Sequence, residues 1–357
     1  MASTPGRLRD SLFAFPRDEG NHPSYGNEWW YMNAHVTTDN QRDLGLMYCL
    51  RRDKRDHIYL SIVDVAQKRH IVRKVIECPL VLSSSKLEAH YDESWWIQKG
   101  GEAFAYDVRI SHGDIRLDFT LHSLKKPLLV GDVKLGILGS LRYYAITDLC
   151  LEGIAKLEDR TMAIRGTAWI DRMWGDWEAH GFDRWEWFSV KADSYDLMVL
   201  TVYHPLVTAV PVTSILAVVQ KDETSFSTSV KVKTESCWSR APGTLVYGNS
   251  WRIVAEDLAT DLRVSADFAD QELKAGIWEG VCGVNGTIRA NRVQGRAYVE
   301  VLYSHSGPMS PYMRLAQVYL GTLRWALGMS LGRRPSQLLS DIYDHLIEPR
   351  RRPSLIS

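Results

Sequence analysis

The chain has 357 residues, 45% of them hydrophobic and 24% charged, which is the composition of a soluble globular protein long enough for two domains. Its 43 Lys and Arg residues balance 43 Asp and Glu residues, so there is no net charge to attract nucleic acid. The five cysteines form no CxxC pair, which argues against a disulfide framework or a zinc site.

The N-terminal residues carry no apolar segment of the kind that a secretory signal needs. We therefore expect a cytoplasmic chain with reduced thiols. Residues 1–14 are expected to form a flexible N-terminal segment.

Short runs of β-branched and apolar residues follow, separated by turns rich in Asp, Gly, Asn and Lys. The predicted strands cover 45–50, 58–65, 103–110, 115–121, 162–170, 196–202, 214–219, 229–234, 250–255, 262–267, 280–290 and 295–303. Many short strands at this spacing are typical of sandwiches and barrels rather than of a parallel α/β sheet. The sequence therefore predicts an all-β fold. His204-Pro205 and Pro211 interrupt the series and predict a domain boundary near 205–225.

The last part of the chain has a different pattern. Apolar residues recur at helical spacing between 310 and 331, which predicts a helix within a tail over 308–357. Arg314 and Arg324 interrupt its apolar character and argue against a transmembrane span. A helix packed across the end of a barrel is favoured; the alternative is peripheral membrane contact, with Arg333 and Arg334 nearby to bind anionic lipid.

Five of the 13 tryptophans lie close to acidic residues in one short stretch, at positions 169, 174, 177, 185 and 187. So many large rings beside carboxylates indicate either a large core or a deep apolar pocket with a few polar groups inside. A carboxyl group in such a pocket has a raised pKa and can donate a proton near neutral pH. For Trp185 and Trp187, which share a strand face, core filling is the favoured interpretation.

The order of several short motifs resembles the carotenoid hydratase family, also called hydroxyneurosporene synthase or AttH-like. The resemblance runs from about Phe15 to about Tyr303. Its motifs are Phe15-Pro16-Arg17-Asp18-Glu19-Gly20-Asn21-His22, Glu28-Trp29-Trp30-Tyr31 with His35, Gly166-Thr-Ala-Trp169-Ile-Asp171-Arg172-Met-Trp174-Gly175, Trp187-Phe188, Asp196-Leu197-Met198 and Gly295-Arg-Ala-Tyr298-Val-Glu300.

The resemblance implies two tandem lipocalin-like β-barrel or sandwich domains, over 15–210 and 211–307, that hold an apolar ligand. Carotenoid hydratases add water to an isoprenoid double bond without a redox cofactor, and more distant fungal relatives act as Diels-Alderases. Fold alone does not choose between these activities.

Asp171 is the first candidate for an acid that protonates an alkene, because it lies at the family's Trp-x-Asp position. Arg172 stands where the family often has a His, and a neighbouring cation would lower the pKa of Asp171. The alternative is that Asp171 forms a salt bridge to Arg172 or caps a turn. Glu28 and Glu300 are the other catalytic candidates. The side chains expected to bind substrate are those of Trp30, Tyr144, Trp169, Trp174, Trp187, Tyr203 and Tyr298.

The sequence contains no HxH or HExxH spacing, no Gly-x-Ser-x-Gly and no Gly-x-Gly-x-x-Gly, so we expect neither a metal nor a cofactor. Three hypotheses remain. The first is an enzyme that protonates a long apolar polyene or isoprenoid in natural-product biosynthesis, followed by water addition or cyclisation. The second is a pericyclase that folds a polyene in its cavity. The third is a lipocalin-like carrier of a lipid or pigment.

Overall fold

The computed structural model describes residues 11–100, 103–135, 139–177, 182–204, 206, 210–221, 223–304, 312, 315, 316 and 319. Most of them lie in β-strands, with short 3-10 helices at Arg17–Glu19 and Glu256–Leu258. The prediction of an all-β fold is confirmed. The strands form two antiparallel sheets, each curled into half of a barrel.

The first sheet contains twelve strands. In chain order they are β1 (Asn27–Thr38), β2 (Asp43–Arg52), β3 (Asp56–Asp64), β4 (Arg69–Glu77), β5 (Val81–Leu82), β6 (Glu88–Tyr91), β7 (Ser94–Gln98), β8 (Ala105–His112), β9 (Ile115–Ser123), β10 (Leu128–Lys134), β11 (Gly139–Leu157) and β12 (Arg160–Trp177). Their order in the sheet is β4-β3-β2-β1-β12-β11-β9-β8-β7-β6-β5, and β10 pairs with β11.

The second sheet contains ten strands. In chain order they are β13 (Arg184–Ala192), β14 (Tyr195–Tyr203), β15 (Pro211–Gln220), β16 (Glu223–Ser227), β17 (Lys231–Trp238), β18 (Tyr247–Ala255), β19 (Thr260–Ala266), β20 (Glu272–Lys274), β21 (Ile277–Ile288) and β22 (Asn291–Tyr303). Their order is β16-β15-β14-β13-β22-β21-β19-β18-β17, and β20 pairs with β21.

Three hydrophobic cores follow from the alternation of side chains along these strands. Trp30 and Met32 of β1 face the interior of the first sheet, while Trp29 and Tyr31 face the second sheet. The second sheet likewise has an interior core of its own and a face turned to the first sheet. The core between the sheets is thus built from both halves of the chain, and it contains most of the tryptophan stretch found in the sequence.

The chain passes from the first sheet to the second between Trp177 and Arg184. The range 205–225, where the sequence predicts a domain boundary, falls within the second sheet, after β14 and before the end of β16. The physical reason is that Pro211 opens a strand, where proline is tolerated, and does not mark a change of sheet.

The N-terminal end of the chain differs from expectation where it is described. Phe13 was placed in a flexible segment, yet its ring packs edge-on against Tyr144 and Trp174 at centroid distances of 5.7 and 6.1 Å. The tail predicted over 308–357 lies outside the described residues except at positions 312, 315, 316 and 319, which are helical and exposed. In the part of the chain that the structure describes, no helix has the length and apolar character that crossing a membrane requires.

Candidate functional site

Aromatic rings from both sheets meet at one end of the core between them. Trp29 of β1 packs edge-on against Trp185 of β13 and against Trp177 of β12, with centroids 5.1 and 5.3 Å apart. Trp187 packs in the same way against Tyr31 at 5.2 Å and Trp169 at 6.1 Å. These rings are buried because strand alternation turns them toward the facing sheet.

A cavity of about 380 Å³, part of it open to solvent, lies beside these rings. Most of the wall is apolar or aromatic. Four further lining side chains carry an ionisable group, namely Cys49, Arg51, Glu279 and Glu300. The cavity is lined by Trp29, Tyr31, Cys49, Arg51, Tyr59, Leu273, Ile277, Glu279, Glu300 and Leu302.

Glu279 and Glu300 form a carboxyl pair in the cavity wall. They are direct neighbours across β21 and β22, and Glu279 donates a hydrogen bond to Glu300. The Tyr31 hydroxyl donates to Glu279 Oε2 at 3.0 Å, and the Trp185 indole N–H donates to Glu300. Burial and the neighbouring charge of Glu300 raise the pKa of Glu279 well above its usual range.

Burial also raises the pKa of Glu300, although the hydrogen bonds from Glu279 and Trp185 and the charge of Arg51 act in the opposite direction. Glu279 therefore has the higher pKa of the two and keeps the shared proton, whereas Glu300 ionises more readily. The pair offers an acid and a base side by side at a cavity surface.

Asp171 lies behind this wall, outside the set of residues that line the cavity. Its Oδ1 accepts a hydrogen bond from the Trp169 indole at 2.6 Å, and its Oδ2 accepts one from the Tyr143 hydroxyl at 2.9 Å. Trp187 in turn donates to the Tyr143 hydroxyl at 3.0 Å. Burial raises the pKa of Asp171 well above its usual range, and the hydrogen bonds from Trp169 and Tyr143 only partly oppose this.

The expected contact between Asp171 and Arg172 is absent from the described structure. Arg172 points into the interior of the first sheet, where Nη2 binds Glu28 Oε1 and the Gly20 carbonyl, each at 2.7 Å. Its guanidinium lies 4.1 Å from the centre of the Trp30 ring. The expectation that Arg172 lowers the pKa of Asp171 was wrong, because consecutive strand residues face opposite ways.

Glu28 and Arg172 belong to a buried polar cluster that closes the first sheet. His22 Nδ1 lies 2.7 Å from Glu28 Oε1, and the His22 ring stacks on Trp174 with centroids 4.0 Å apart. Burial alone would raise the pKa of Glu28, but the charge of Arg172 and the hydrogen bond from His22 lower it. Glu28 is therefore held as a carboxylate in an ion pair, away from the cavity.

The structure divides the predicted substrate-binding residues among three environments. Trp169, Trp187 and Tyr298 face the core between the sheets with Asp171 and Glu300. The first sheet's interior contains Trp30, Tyr144 and Trp174 together with Glu28. Tyr203 lies elsewhere, since its hydroxyl donates to Glu186 Oε2 at 2.7 Å and the Arg184 guanidinium covers its ring at 3.8 Å.

Of the residues that line the cavity, the site prediction contains only Glu300. It omitted the apolar or indole side chains of Trp29, Leu273, Ile277 and Leu302 and the polar ones of Tyr31, Cys49, Arg51, Tyr59 and Glu279. A usable signal existed for Glu279, because it precedes the predicted strand 280–290 by one residue and alternation places it on the face of Val281. Cys49 and Arg51 come from β2, whose polar residues carry no recognisable motif. Within the described ranges, no three His, Cys, Asp or Glu side chains are grouped as metal ligands would be.

Comparison with solved structures finds the same fold in proteins of low sequence identity. An AttH protein from Nitrosomonas europaea superposes with a TM-score of 0.71 at 20% identity, covering 84% of this chain and 98% of its own. Kievitone hydratase from Nectria haematococca gives 0.64 at 18% identity, covering 82% and 93%. CghA with Sch210972 gives 0.55 at 11% identity, covering 84% and 98%.

Comparison with curated proteins finds no match to the chain. The family model described as AttH-like matches residues 7–302, which include both sheets and every residue of the cavity wall. The chain therefore belongs to the AttH-like family.

Proposed function

We propose that this protein is a hydratase- or cyclase-type enzyme that protonates an alkene of a compact isoprenoid substrate. The observation that carries the proposal is the hydrogen-bonded carboxyl pair, Glu279 and Glu300, at the surface of an aromatic cavity. The structural likeness to kievitone hydratase supports a hydratase, although at 18% identity that likeness concerns the fold.

The proposed reaction begins when Glu279 transfers its proton to one carbon of a trisubstituted alkene. The alkene π electrons form the new C–H bond, and the other carbon becomes a tertiary carbocation. In hydration, a water oxygen bonds to this carbon, and Glu300 takes the excess proton from that oxygen. In cyclisation, a second alkene attacks the cation, and Glu300 removes a proton from the resulting cation. Either route ends when the proton passes from Glu300 back to Glu279.

The cavity wall suits a cationic intermediate. The Trp29 and Tyr59 rings line the cavity, and ring faces attract cations by about 0.5–2 kcal/mol. Tyr31 holds Glu279 in place through its hydroxyl, which restricts the direction of proton transfer. The space enclosed beside the rings is small, since the volume of about 380 Å³ includes solvent-open space, and this favours a compact substrate over the long polyene expected from the sequence.

Deuterium transfer from solvent tests this proposal directly. The protein is incubated in D₂O with C10 to C20 isoprenoids that carry a trisubstituted alkene, and products are analysed by mass spectrometry and NMR. We expect deuterium on the alkene carbon, and a loss of about 10²-fold or more in rate for E279Q and E300Q, which is the usual scale of general acid–base catalysis. The matched control is E186Q, a buried glutamate in the second sheet's interior.

Two other outcomes would replace the proposal. Products without deuterium that form equally in E279Q and E300Q would indicate a pericyclase. In such an enzyme the cavity shape positions the substrate, and the Tyr31 hydroxyl stabilises the transition state by hydrogen bonding. Tight binding of every isoprenoid without conversion would indicate a carrier.

A further inference from the structure

Arg51 lines the cavity with a positive charge, which acts on Glu300 of the carboxyl pair. It lies on β2, where it is the cross-strand neighbour of Trp29, while Cys49 is the neighbour of Tyr31. Tyr31 is the residue that reaches Glu279. Because neighbouring side chains on one strand face are about 7 Å apart, Arg51 stands one row from the tyrosine that holds the acid.

The guanidinium of Arg51 is only partly satisfied by the protein. Its Nη2 pairs with Asp53 Oδ2 at 2.8 Å, and it donates a hydrogen bond to Tyr59. Its Nε is buried and has no hydrogen-bond partner among the described residues. A buried N–H without an acceptor is destabilising, so an acceptor supplied by a ligand would be favourable there.

A second positive charge lies beside Tyr59, outside the cavity lining. The Lys274 ammonium is 5.2 Å from the centre of the Tyr59 ring, and Tyr59 both lines the cavity and binds Arg51. The aliphatic side chains that line the cavity are those of Leu273, Ile277 and Leu302. The part of the cavity next to Arg51 thus favours an anionic oxygen, and the aliphatic walls favour hydrocarbon.

We infer that Arg51 binds an anionic oxygen at the head of the substrate, such as a carboxylate, enolate or phenolate, while the alkene reaches Glu279 one row away. The inference rests on the proposed function for the role of the alkene. It narrows the substrate class to compact isoprenoid acids in which only a few bonds separate the acidic oxygen from the double bond.

Citronellate and methyl citronellate test the inference, because they share one trisubstituted alkene and differ in the charge of the head group. Their dissociation constants are measured at pH 7 by isothermal titration calorimetry. We expect the wild type to bind the acid at least about tenfold tighter than the ester, as is typical of charge-assisted hydrogen bonds. R51M should bind both equally, and R51K should keep part of the preference.

R252M is the matched control, since Arg252 pairs with Asp261 on the exposed face of β18 and does not line the cavity. It should keep the wild-type preference. Thermal unfolding of each variant shows that the fold is intact. Equal binding of acid and ester by the wild type, a preserved preference in R51M, or no binding of either probe would overturn the inference.

The two proposals fail separately. A preference for the acid without deuterium transfer to citronellate would leave the Arg51 contact standing and count against alkene protonation. Deuterium transfer at equal rates to acid and ester would support alkene protonation and count against the Arg51 contact.

Discussion

Asp171 and Arg172 are adjacent in the chain, yet their side chains lie in different cores. Asp171 accepts hydrogen bonds from Trp169 and Tyr143 between the sheets, whereas Arg172 binds Glu28 inside the first sheet. The backbone of β12 separates a carboxyl of raised pKa from a permanent cation. The charge of Arg172 therefore does not lower the pKa of Asp171, and substitutions of the two residues should have different effects.

Asp171→Asn should affect stability more than catalysis. One of the two donors, Trp169 or Tyr143, will face an amide N–H₂ that cannot accept its hydrogen bond. We expect the free energy of unfolding to fall by about 1–3 kcal/mol, measured by urea denaturation. The turnover rate in the deuterium assay should fall less than in E300Q. A loss of activity equal to that of E300Q, in a variant of wild-type stability, would make Asp171 the proton donor instead.

Arg172→Met should destabilise the fold without altering the acid–base behaviour of the cavity. Removing the cation leaves the buried Glu28 carboxylate with only its contacts to His22, and the loss of a buried ion-pair partner costs about 3–5 kcal/mol. The pH dependence of turnover should remain that of the wild type, because Arg172 faces the other core. A shift of the acidic limb of the pH–rate profile would show that Arg172 does act on the cavity acids.

Glu19 should make stability depend on pH. Burial raises its pKa to about 7 from 4.5, against a short hydrogen bond from Tyr106 and the charge of Arg172. The folded state therefore binds more protons than the unfolded state between these values, so this contribution to stability is complete below pH 4.5 and is lost as pH rises through 7.

Glu19→Gln isolates this effect, since the amide stays neutral. Relative to the wild type, E19Q should gain about 3 kcal/mol in free energy of unfolding between pH 4 and pH 8, measured by urea denaturation at each pH. E152Q, at an exposed glutamate of β11, is the control and should follow the wild type. Parallel curves for E19Q and the wild type would contradict the assignment.

Asp196→Asn should weaken the attachment of the two sheets. Asp196 on β14 accepts from Thr147 of β11 at 2.9 Å and from Lys125 at 2.6 Å, and it is buried. We expect a loss of about 3 kcal/mol in free energy of unfolding, because Lys125 and Lys191 both lose a buried carboxylate partner. Both lysines keep their ion pairs with Asp148. Asp261→Asn breaks an exposed pair and should cost less than about 1 kcal/mol. Equal costs would argue against a structural role for the buried pair.

The sequence predicted the all-β class because strand periodicity is a local property, and each predicted run overlaps an observed strand. In β1, strand alternation places Glu28 and Trp30 on one face and Trp29 and Tyr31 on the other. Alternation could not say which face meets the second sheet. The sequence assigns Trp30, Trp174 and Tyr144 to substrate binding, and the structure places their rings in the first sheet's interior.

Glu279 shows what local pattern cannot supply. Its importance comes from its pairing with Glu300 across β21 and β22 and from the hydroxyl of Tyr31, which is 248 positions away in the chain. Such long-range placement depends on how two sheets dock, and no short motif records it.

The two faces of β12 also limit how the chain can change. Inserting or deleting one residue near its centre would exchange the positions of Asp171 and Arg172, placing a guanidinium among the tryptophans between the sheets and a carboxyl beside Glu28. Point substitutions can adjust this strand gradually, whereas a change in its length would damage two cores at once. Length variation among relatives should therefore be concentrated in the turns and be rare within β12.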